Sequence, residues 1–222
     1  MLYPVPPEMP NSDDDSLALL AAAAKYDMDT IRSSVRAEIS RNGLFSSTCS
    51  GVFHVYAVAY LKQLIPEMVM AARLTLGPPL TFESLGDALQ SFEGQALSDL
   101  VDFRLRSIRK FSGLLSDWNT GPSNIWTSCP MAKSKDGTSI DISWFEDLQW
   151  RVIEEVESFT YAVPTSQKLY DEYLKALQSH IKETDCQFCM NAHVMEGEMR
   201  RTKLKDISSE AWNVPHPIHG VL

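Results

Sequence analysis

The chain of 222 residues is 44% hydrophobic and 22% charged, which is typical of a globular protein and too apolar for a disordered one. Its 20 basic and 29 acidic residues give a net charge of −9, whereas proteins that grip a nucleic-acid backbone usually carry the opposite sign. No apolar run approaches the roughly 20 residues that cross a membrane, and Met1–Pro7 lacks the features of a secretory signal. We therefore expect a cytoplasmic or nuclear protein with no nucleic-acid or membrane partner.

The N-terminal part of the chain predicts a leader followed by a helical hairpin. Prolines and three adjacent aspartates favour a leader over 1–15, and a helix is predicted from about Ser16, with the aspartates at its positive end. A turn at Tyr26-Asp27 and a stop at Asn42-Gly43 then delimit two short helices. The side chains predicted to face inward are Leu17, Leu20, Ala21, Ala24, Ile31, Val35 and Ile39.

The helical period continues along the rest of the chain, and no segment of useful length alternates as a strand would. We therefore predict an all-α fold, an irregular array of about eight helices that begins with the hairpin. The later helices are predicted over 50–63, from 66, over 82–92, 95–117 and 141–161, from 166, and from 186 past 204.

Composition and helix breaks also predict the domain organisation. The predicted parts are the hairpin with the helices after it over 16–76, a helical extension over 77–205 with a long loop near 119–140, and a flexible tail over 206–222. On the helix predicted over 95–117, the charged side chains of Arg104, Arg106, Arg109 and Lys110 are expected to form the solvated face.

The sharpest local motif is Cys186-Gln-Phe-Cys189-Met-Asn-Ala-His193. Two thiolates separated by two residues hold one metal ion from a tight turn, and His193 follows Cys189 by about one helical turn, which gives three ligands that Zn²⁺ favours. Cys129 is the best candidate for the fourth ligand. Weaker candidates are His180, Glu196, Glu198, His216 and His219. The alternative is that the cysteines are ordinary core thiols and that no metal is bound.

The sequence contains none of the common catalytic signatures, since GxSxG, P-loop, GxGxxG and HExxH motifs are all missing. A further alternative is an enzyme that uses the pair Cys49–His54 or Cys186–His193, and a depressed thiol pKa would identify it. A thioredoxin-like role requires a βαβ unit, which the helical pattern does not provide. We expect no enzyme activity and no cofactor other than one structural zinc.

Several segments, taken in order, resemble one known family. Ser16–Met28, preceded by Leu2-Tyr3-Pro4, resembles the closing helical hairpin of a BTB/POZ domain, and most of all that of the large fungal family of BTB-containing proteins. Later segments resemble the helical extension of that family: Tyr56–Tyr60, Ala71–Leu76, Thr81–Gly86, Phe92–Gly94, Trp126 with Cys129, and the Cys186–His193 motif followed by Glu196-Gly-Glu198. The resemblance extends to about residue 205. Relatives often have a further Cys where this chain has Met199-Arg200-Arg201.

The resemblance implies a non-enzymatic helical scaffold that binds other proteins, linked to ubiquitin-ligase adaptor or transcription-related complexes. In better-understood BTB proteins, the helices after the domain help to dock a cullin ubiquitin ligase, so the implied partners are a cullin-type ligase and the chain itself. The sheet that precedes such a hairpin is not found before Met1, which would uncover an apolar face and favour self-association. The alternative function is a zinc-stabilised helical domain, which stoichiometric zinc and chelator-sensitive helicity would reveal.

Overall fold

The computed structural model describes residues 12–42, 49–117, 143–157, 164, 166–184 and 201–216. Within these ranges all regular structure is helical, so the predicted all-α fold is confirmed. The helices are α1 (Asp13–Lys25), α2 (Asp29–Asn42), α3 (Cys49–Leu61), α4 (Ile65–Leu74), α5 (Phe82–Leu85), a 3₁₀ helix (Gly86–Ser91), α6 (Gly94–Ser116), α7 (Ser143–Glu157), α8 (Ser166–Thr184) and α9 (201–212). None of these helices is both long and apolar enough to cross a membrane. The loop predicted near 119–140 lies outside the described ranges.

Helix α1 begins earlier than the sequence predicts, at Asp13 rather than near Ser16. The Ser12 hydroxyl accepts a hydrogen bond from the Asp15 backbone N–H at 3.1 Å and so caps the helix. The three aspartates therefore lie inside the first turn, where the positive end of the helix dipole stabilises their charges. The cap residue, rather than the end of the aspartate run, marks the start of the helix.

The predicted hairpin is present, with α1 and α2 packed against each other. Its buried apolar side chains are Leu17, Leu20, Ala23, Val35 and Ile39. Ala24 and Ile31, which were expected to face inward, are exposed instead. Ile31 lies in the first turn of α2. The preceding last turn of α1 consists largely of alanines, whose small side chains bury little of a neighbouring side chain.

Helix α3 is the centre of the N-terminal part, because α1, α4, α5 and the 3₁₀ helix all pack against it. Its buried residues are Val52, Phe53, Val55, Tyr56, Ala57 and Ala59.

The helix predicted over 82–92 is split in two. Thr81 caps its start as expected, accepting a hydrogen bond from the Ser84 N–H at 3.1 Å. Gly86 then adopts a φ of +47°, a left-handed conformation that ends α5, and the chain continues as the 3₁₀ helix.

The chain divides into two compact units. Unit 1 contains the described residues up to Phe103 together with His216, and unit 2 contains those from Arg104 to Pro215. The division therefore falls within α6, whereas the sequence places a boundary between residues 76 and 77. The Gly77-Pro78-Pro79 segment does end a helix, but α4 before it and α5 after it both pack on α3. A local helix break thus does not separate two cores here.

Unit 2 is built around α7 and α8, which pack against each other. Its buried apolar residues include Leu148, Val152, Val156, Leu169, Tyr173, Leu177, Leu204 and Ile207. The Gln149 amide donates a hydrogen bond to the Leu115 carbonyl at 2.6 Å, which ties α7 to the end of α6. The Ser208 hydroxyl donates to the Pro164 carbonyl at 3.1 Å, which ties α9 to the start of the α8 segment.

One residue of the predicted solvated face of α6 is buried. Arg104 is only 4% exposed, and burial lowers the pKa of its guanidinium to about 10. Arg109 and Lys110 are exposed, as expected. The aliphatic part of an arginine side chain can pack in a core as an apolar side chain does. The spacing of apolar residues along a helix therefore does not show which of its basic side chains is buried.

Part of the predicted flexible tail is folded. Helix α9 continues to residue 212, and Ile207 and Ala211 in it are buried. Together with Leu204 they repeat at helical spacing, so the apolar period extends past the limit of 205 that the sequence analysis sets. His216 is buried as well, at 7% exposure.

Candidate interaction surface

The joint between α1 and α2 has a defined backbone structure. The Met28 N–H donates a hydrogen bond to the Ala23 carbonyl at 2.8 Å, and the Asp27 N–H donates to the Ala24 carbonyl at 3.3 Å. Asp27 has a φ of +56°, a left-handed conformation that aspartate tolerates better than most residues. This pattern is a Schellman motif, and it satisfies carbonyl groups that the end of α1 leaves unpaired.

Met28 also begins the second helix. Its carbonyl accepts hydrogen bonds from the backbone N–H groups of Ile31 and Arg32, both at 3.1 Å. One residue therefore closes α1 through its N–H and starts α2 through its carbonyl. Because backbone hydrogen bonds fix the joint, the side chain of Met28 is not needed to hold the two helices together.

Three apolar side chains at this joint are exposed. Tyr26 is 66% exposed, Met28 47% and Ile31 37%. They lie within six residues of one another, on a turn with fixed backbone geometry. We call Tyr26, Met28 and Ile31 the joint surface. The sequence predicts the turn, but its prediction that Ile31 faces inward is wrong.

Charged side chains of both signs border the joint surface. The Lys25 ammonium lies 5.6 Å from the centre of the Tyr26 ring, within the range of a cation–π contact. The Arg32 guanidinium lies 4.0 Å from the Asp27 carboxylate and forms a second ion pair with Asp29. Tyrosine, methionine and arginine are enriched at protein–protein interfaces, whose rims are polar. The composition of this joint therefore fits a protein-binding surface.

The joint between α3 and α4 has the same backbone design but buries its apolar residue. Gln63 has a φ of +56°, and the Leu64 N–H donates to the Ala59 carbonyl at 2.9 Å. Leu64 thus holds the position that Met28 holds in the first joint, yet Leu64 is only 6% exposed. The turn geometry is therefore compatible with burial, and it does not by itself account for the exposure of Met28.

A polar cluster joins three segments of unit 1 around His54. The His54 Nδ1 lies 3.1 Å from the Ser91 hydroxyl, and its Nε2 lies 2.7 Å from an Asp14 carboxylate oxygen. A nucleophile, base and carboxylate are hydrogen-bonded in the same order in hydrolytic triads. Here the Asp14 side chain is 66% exposed, so water competes for its bond to the imidazole and weakens the pair. We assign the cluster a structural role, linking α1 and α3 to the end of the 3₁₀ helix. The Cys49 side chain, proposed as a partner of His54, is not among those described.

A second polar cluster lies between α3 and α6. The Tyr60 hydroxyl donates to Asp99 at 2.8 Å, and the Gln95 amide donates to the other Asp99 oxygen at 2.7 Å. Asp99 is 3% exposed, so these two donors compensate for the burial of its carboxylate. Burial and the hydrogen bond to Asp99 raise the pKa of Tyr60 to about 12.

This shift predicts an alkaline loss of stability. Because the folded pKa of Tyr60 is about 12 and the ordinary value is 10.0, the contribution is complete below pH 10 and is lost as the pH rises towards 12. We expect Tyr60→Phe to remove this part of the pH dependence, measured by urea unfolding at a series of alkaline pH values. Tyr26→Phe is the matched control, because Tyr26 is mostly exposed. An equal pH dependence in wild type and Tyr60→Phe would contradict the assignment.

The predicted zinc ligands Cys129, Cys186, Cys189 and His193 all lie outside the described residues. Among the side chains that the structure does describe, no three of the His, Cys, Asp or Glu groups are arranged to hold a metal ion. One of the weaker candidates, His216, lies against the rings of Tyr56 and Phe103. The zinc site stays a prediction.

Two small clefts in unit 2 are largely apolar. Each has a cavity volume of about 10 Å³, room for about one water molecule. Val152 and Leu169 line both of them, and Lys168 and Glu172 border the first. These two clefts are too small to enclose a metabolite.

No family model, curated protein or solved structure matches the chain. The resemblance to the BTB/POZ tail therefore stays a prediction, and functional conclusions depend on the residues described above.

Proposed function

We propose that the protein is a non-enzymatic helical scaffold that binds other proteins through the joint surface at the tip of the α1–α2 hairpin. The exposure of Met28, at a position where the equivalent Leu64 is buried, is the observation that carries the proposal. An apolar side chain held in solvent by a rigid turn gains from burial in a complex and loses little conformational freedom of its backbone.

The chemistry of the joint surface supports a protein partner rather than a small molecule. Its three apolar side chains are exposed at and just after the turn between two helices, whereas metabolites are bound in concave pockets that bury most of the ligand. The ion pairs of Arg32 lie beside the joint surface and supply the polar groups that are typical of the rim of a protein–protein interface. Tyr26 and Met28 also lie within Ser16–Met28, one of the segments that resemble BTB/POZ proteins.

The resemblance supplies the partner classes. If the chain is a BTB-derived protein like those of fungi that it resembles, its partners would be a second copy of the chain or a cullin-type ubiquitin ligase, within ligase-adaptor or transcription-related complexes. A cytoplasmic or nuclear location follows from the same proposal. No residue described here favours one partner over the other, so both are tested with the same variants.

Replacing the two most exposed residues of the joint surface is expected to weaken association. We expect wild-type chain to self-associate at tens of micromolar in sedimentation velocity, and Tyr26→Ser with Met28→Ser to weaken that association at least tenfold, which is about 1.4 kcal/mol. Neither side chain is buried and a serine at residue 28 can cap α2, so we expect the variant to lose no more than about 0.5 kcal/mol of stability relative to wild type. The same proteins are titrated with a purified cullin-type scaffold.

Leu61→Ser is the matched control, because Leu61 is 57% exposed and lies next to the joint between α3 and α4. It should associate as wild type does. A wild-type chain that is monomeric at tens of micromolar and does not bind the cullin would contradict the proposal, as would association that the double variant leaves unchanged.

The zinc-stabilised domain remains the alternative from the sequence. It concerns Cys129, Cys186, Cys189 and His193 only, and no described residue favours it. The two hypotheses are compatible with each other and differ in what the cysteines do.

A further inference from the structure

His216 belongs to unit 1 although it lies 160 positions beyond Tyr56, whose hydroxyl is within hydrogen-bond distance of its ring. Its ring centre is 5.7 Å from that of Tyr56 and 5.3 Å from that of Phe103. The Phe92 ring lies 5.9 Å from Tyr56 and extends the same aromatic cluster. These distances are typical of packed aromatic pairs, so the buried histidine occupies a pocket lined by an aromatic ring of α3 and one of α6.

Hydrogen bonds give this pocket a chemical preference. The buried Tyr56 hydroxyl donates to the Ala96 carbonyl at 3.2 Å, and the His216 Nε2 lies 3.1 Å from the same hydroxyl oxygen. A phenol has a single proton, so while Tyr56 donates to Ala96 the histidine donates its Nε2–H to the phenol oxygen. Burial, with the nearby Asp99 carboxylate, raises the pKa of Tyr56 above its ordinary value, so the hydroxyl keeps its proton. The pocket therefore accepts a planar ring that carries one donor.

The sequence around His216 favours an extended backbone. Val214 precedes Pro215, and His216 precedes Pro217. A residue before proline is biased away from the helical region towards extended conformations. Residues 214–216 have no helical structure, in agreement with this bias. The segment enters the bound state with few alternative conformations to lose, which lowers the entropy cost of docking.

We propose that the aromatic pocket formed by Tyr56 and Phe103 is a docking site for an extended peptide segment with a proline-flanked histidine, and that the chain's own His216 segment occupies it as an intramolecular competitor. A partner segment of the same chemistry has to displace His216 before it binds. The pocket is separate from the joint surface, so this proposal does not depend on the proposed function.

The test uses a labelled peptide of residues 211–222 as the probe and measures its fluorescence anisotropy with the full chain. We expect the His216→Ala chain to bind the peptide at least tenfold more tightly than the wild-type chain, whose pocket is already filled. A peptide carrying His216→Ala should not bind, whereas a peptide carrying His219→Ala should bind normally. His54→Ala, a matched histidine outside the pocket, should leave the weak binding of the wild-type chain unchanged.

A folded His216→Ala chain that binds the peptide no more tightly than wild type would overturn the proposal. If that variant does not fold, the proposal is tested on the wild-type chain by chemical modification. Excess peptide should then increase the rate at which diethyl pyrocarbonate modifies His216 of the chain several-fold, with His54 as the internal reference. An unchanged rate would overturn the proposal. The Tyr26→Ser, Met28→Ser variant should behave as wild type in both assays, which separates this site from the joint surface.

Discussion

Replacing Phe53 with alanine is expected to lower the free energy of unfolding by about 3–5 kcal/mol. Phe53 has no exposed surface and lies on α3, the helix against which four other helical segments of unit 1 pack. Removing its ring loses the burial energy of the side chain and leaves a cavity that several helices would have to close together. Urea unfolding followed by far-UV circular dichroism measures the loss.

Phe82→Ala is the matched control for this experiment. The same ring is removed, but Phe82 is 84% exposed at the start of α5, so we expect a change within about 0.5 kcal/mol. Because the chain has two compact units, the transition that shifts should be the one that includes α1 to α5. Equal effects of the two substitutions would show that α3 is not the centre of the core.

The helices could be predicted from the sequence because helical periodicity is a local property. The positions of α2, α3, α4 and α6 follow from apolar residues at three- and four-residue spacing. The ends of the helices are harder to predict from periodicity, since a single residue can determine where a helix begins or ends. Ser12 moves the start of α1 by three residues, and the left-handed backbone at Gly86 divides one predicted helix into two.

Burial of polar residues could not be predicted in the same way. Glu67 is buried against Arg36, 31 positions away, and His216 against Tyr56, 160 positions away. Neither pair leaves a local pattern, because each depends on which helices become neighbours. Arg104 shows the same limit, since its helix carries several cations and only the packing decides which one is covered.

The candidate site was predictable in part. The Tyr26-Asp27 turn is indicated by the sequence, since aspartate tolerates the left-handed conformation that the turn needs. Exposure of Met28 is not indicated, because the equivalent Leu64 between α3 and α4 is buried although its N–H makes the same hydrogen bond to the preceding helix. Whether an apolar residue after such a turn is covered depends on the third element that reaches it, which only the fold defines.

Replacing Arg36 with methionine is expected to lower the free energy of unfolding by about 2–3 kcal/mol. The Arg36 Nε and Nη2 atoms donate to the two carboxylate oxygens of Glu67 at 2.6 and 3.3 Å, and the hydrogen bond raises the pKa of Arg36. The Glu67 side chain is only 3% exposed, so loss of the guanidinium leaves a buried charge without its partner. Such a loss costs about 3–5 kcal/mol for a fully buried pair, and we expect less because the Arg36 side chain is 42% exposed.

Glu67→Gln should cost less than Arg36→Met, because the amide leaves no charge in the buried position and Arg36 can turn to water. The matched control on the same helix is Arg32→Met, which breaks only ion pairs with the exposed carboxylates of Asp27 and Asp29 and should cost less than about 1 kcal/mol. Urea unfolding at two salt concentrations completes the test. Salt screens exposed charges more than buried ones, so the gap between wild type and Arg36→Met should persist at high salt. A gap that disappears there would mean that solvent reaches Glu67 and that its link between α2 and α4 is a surface contact.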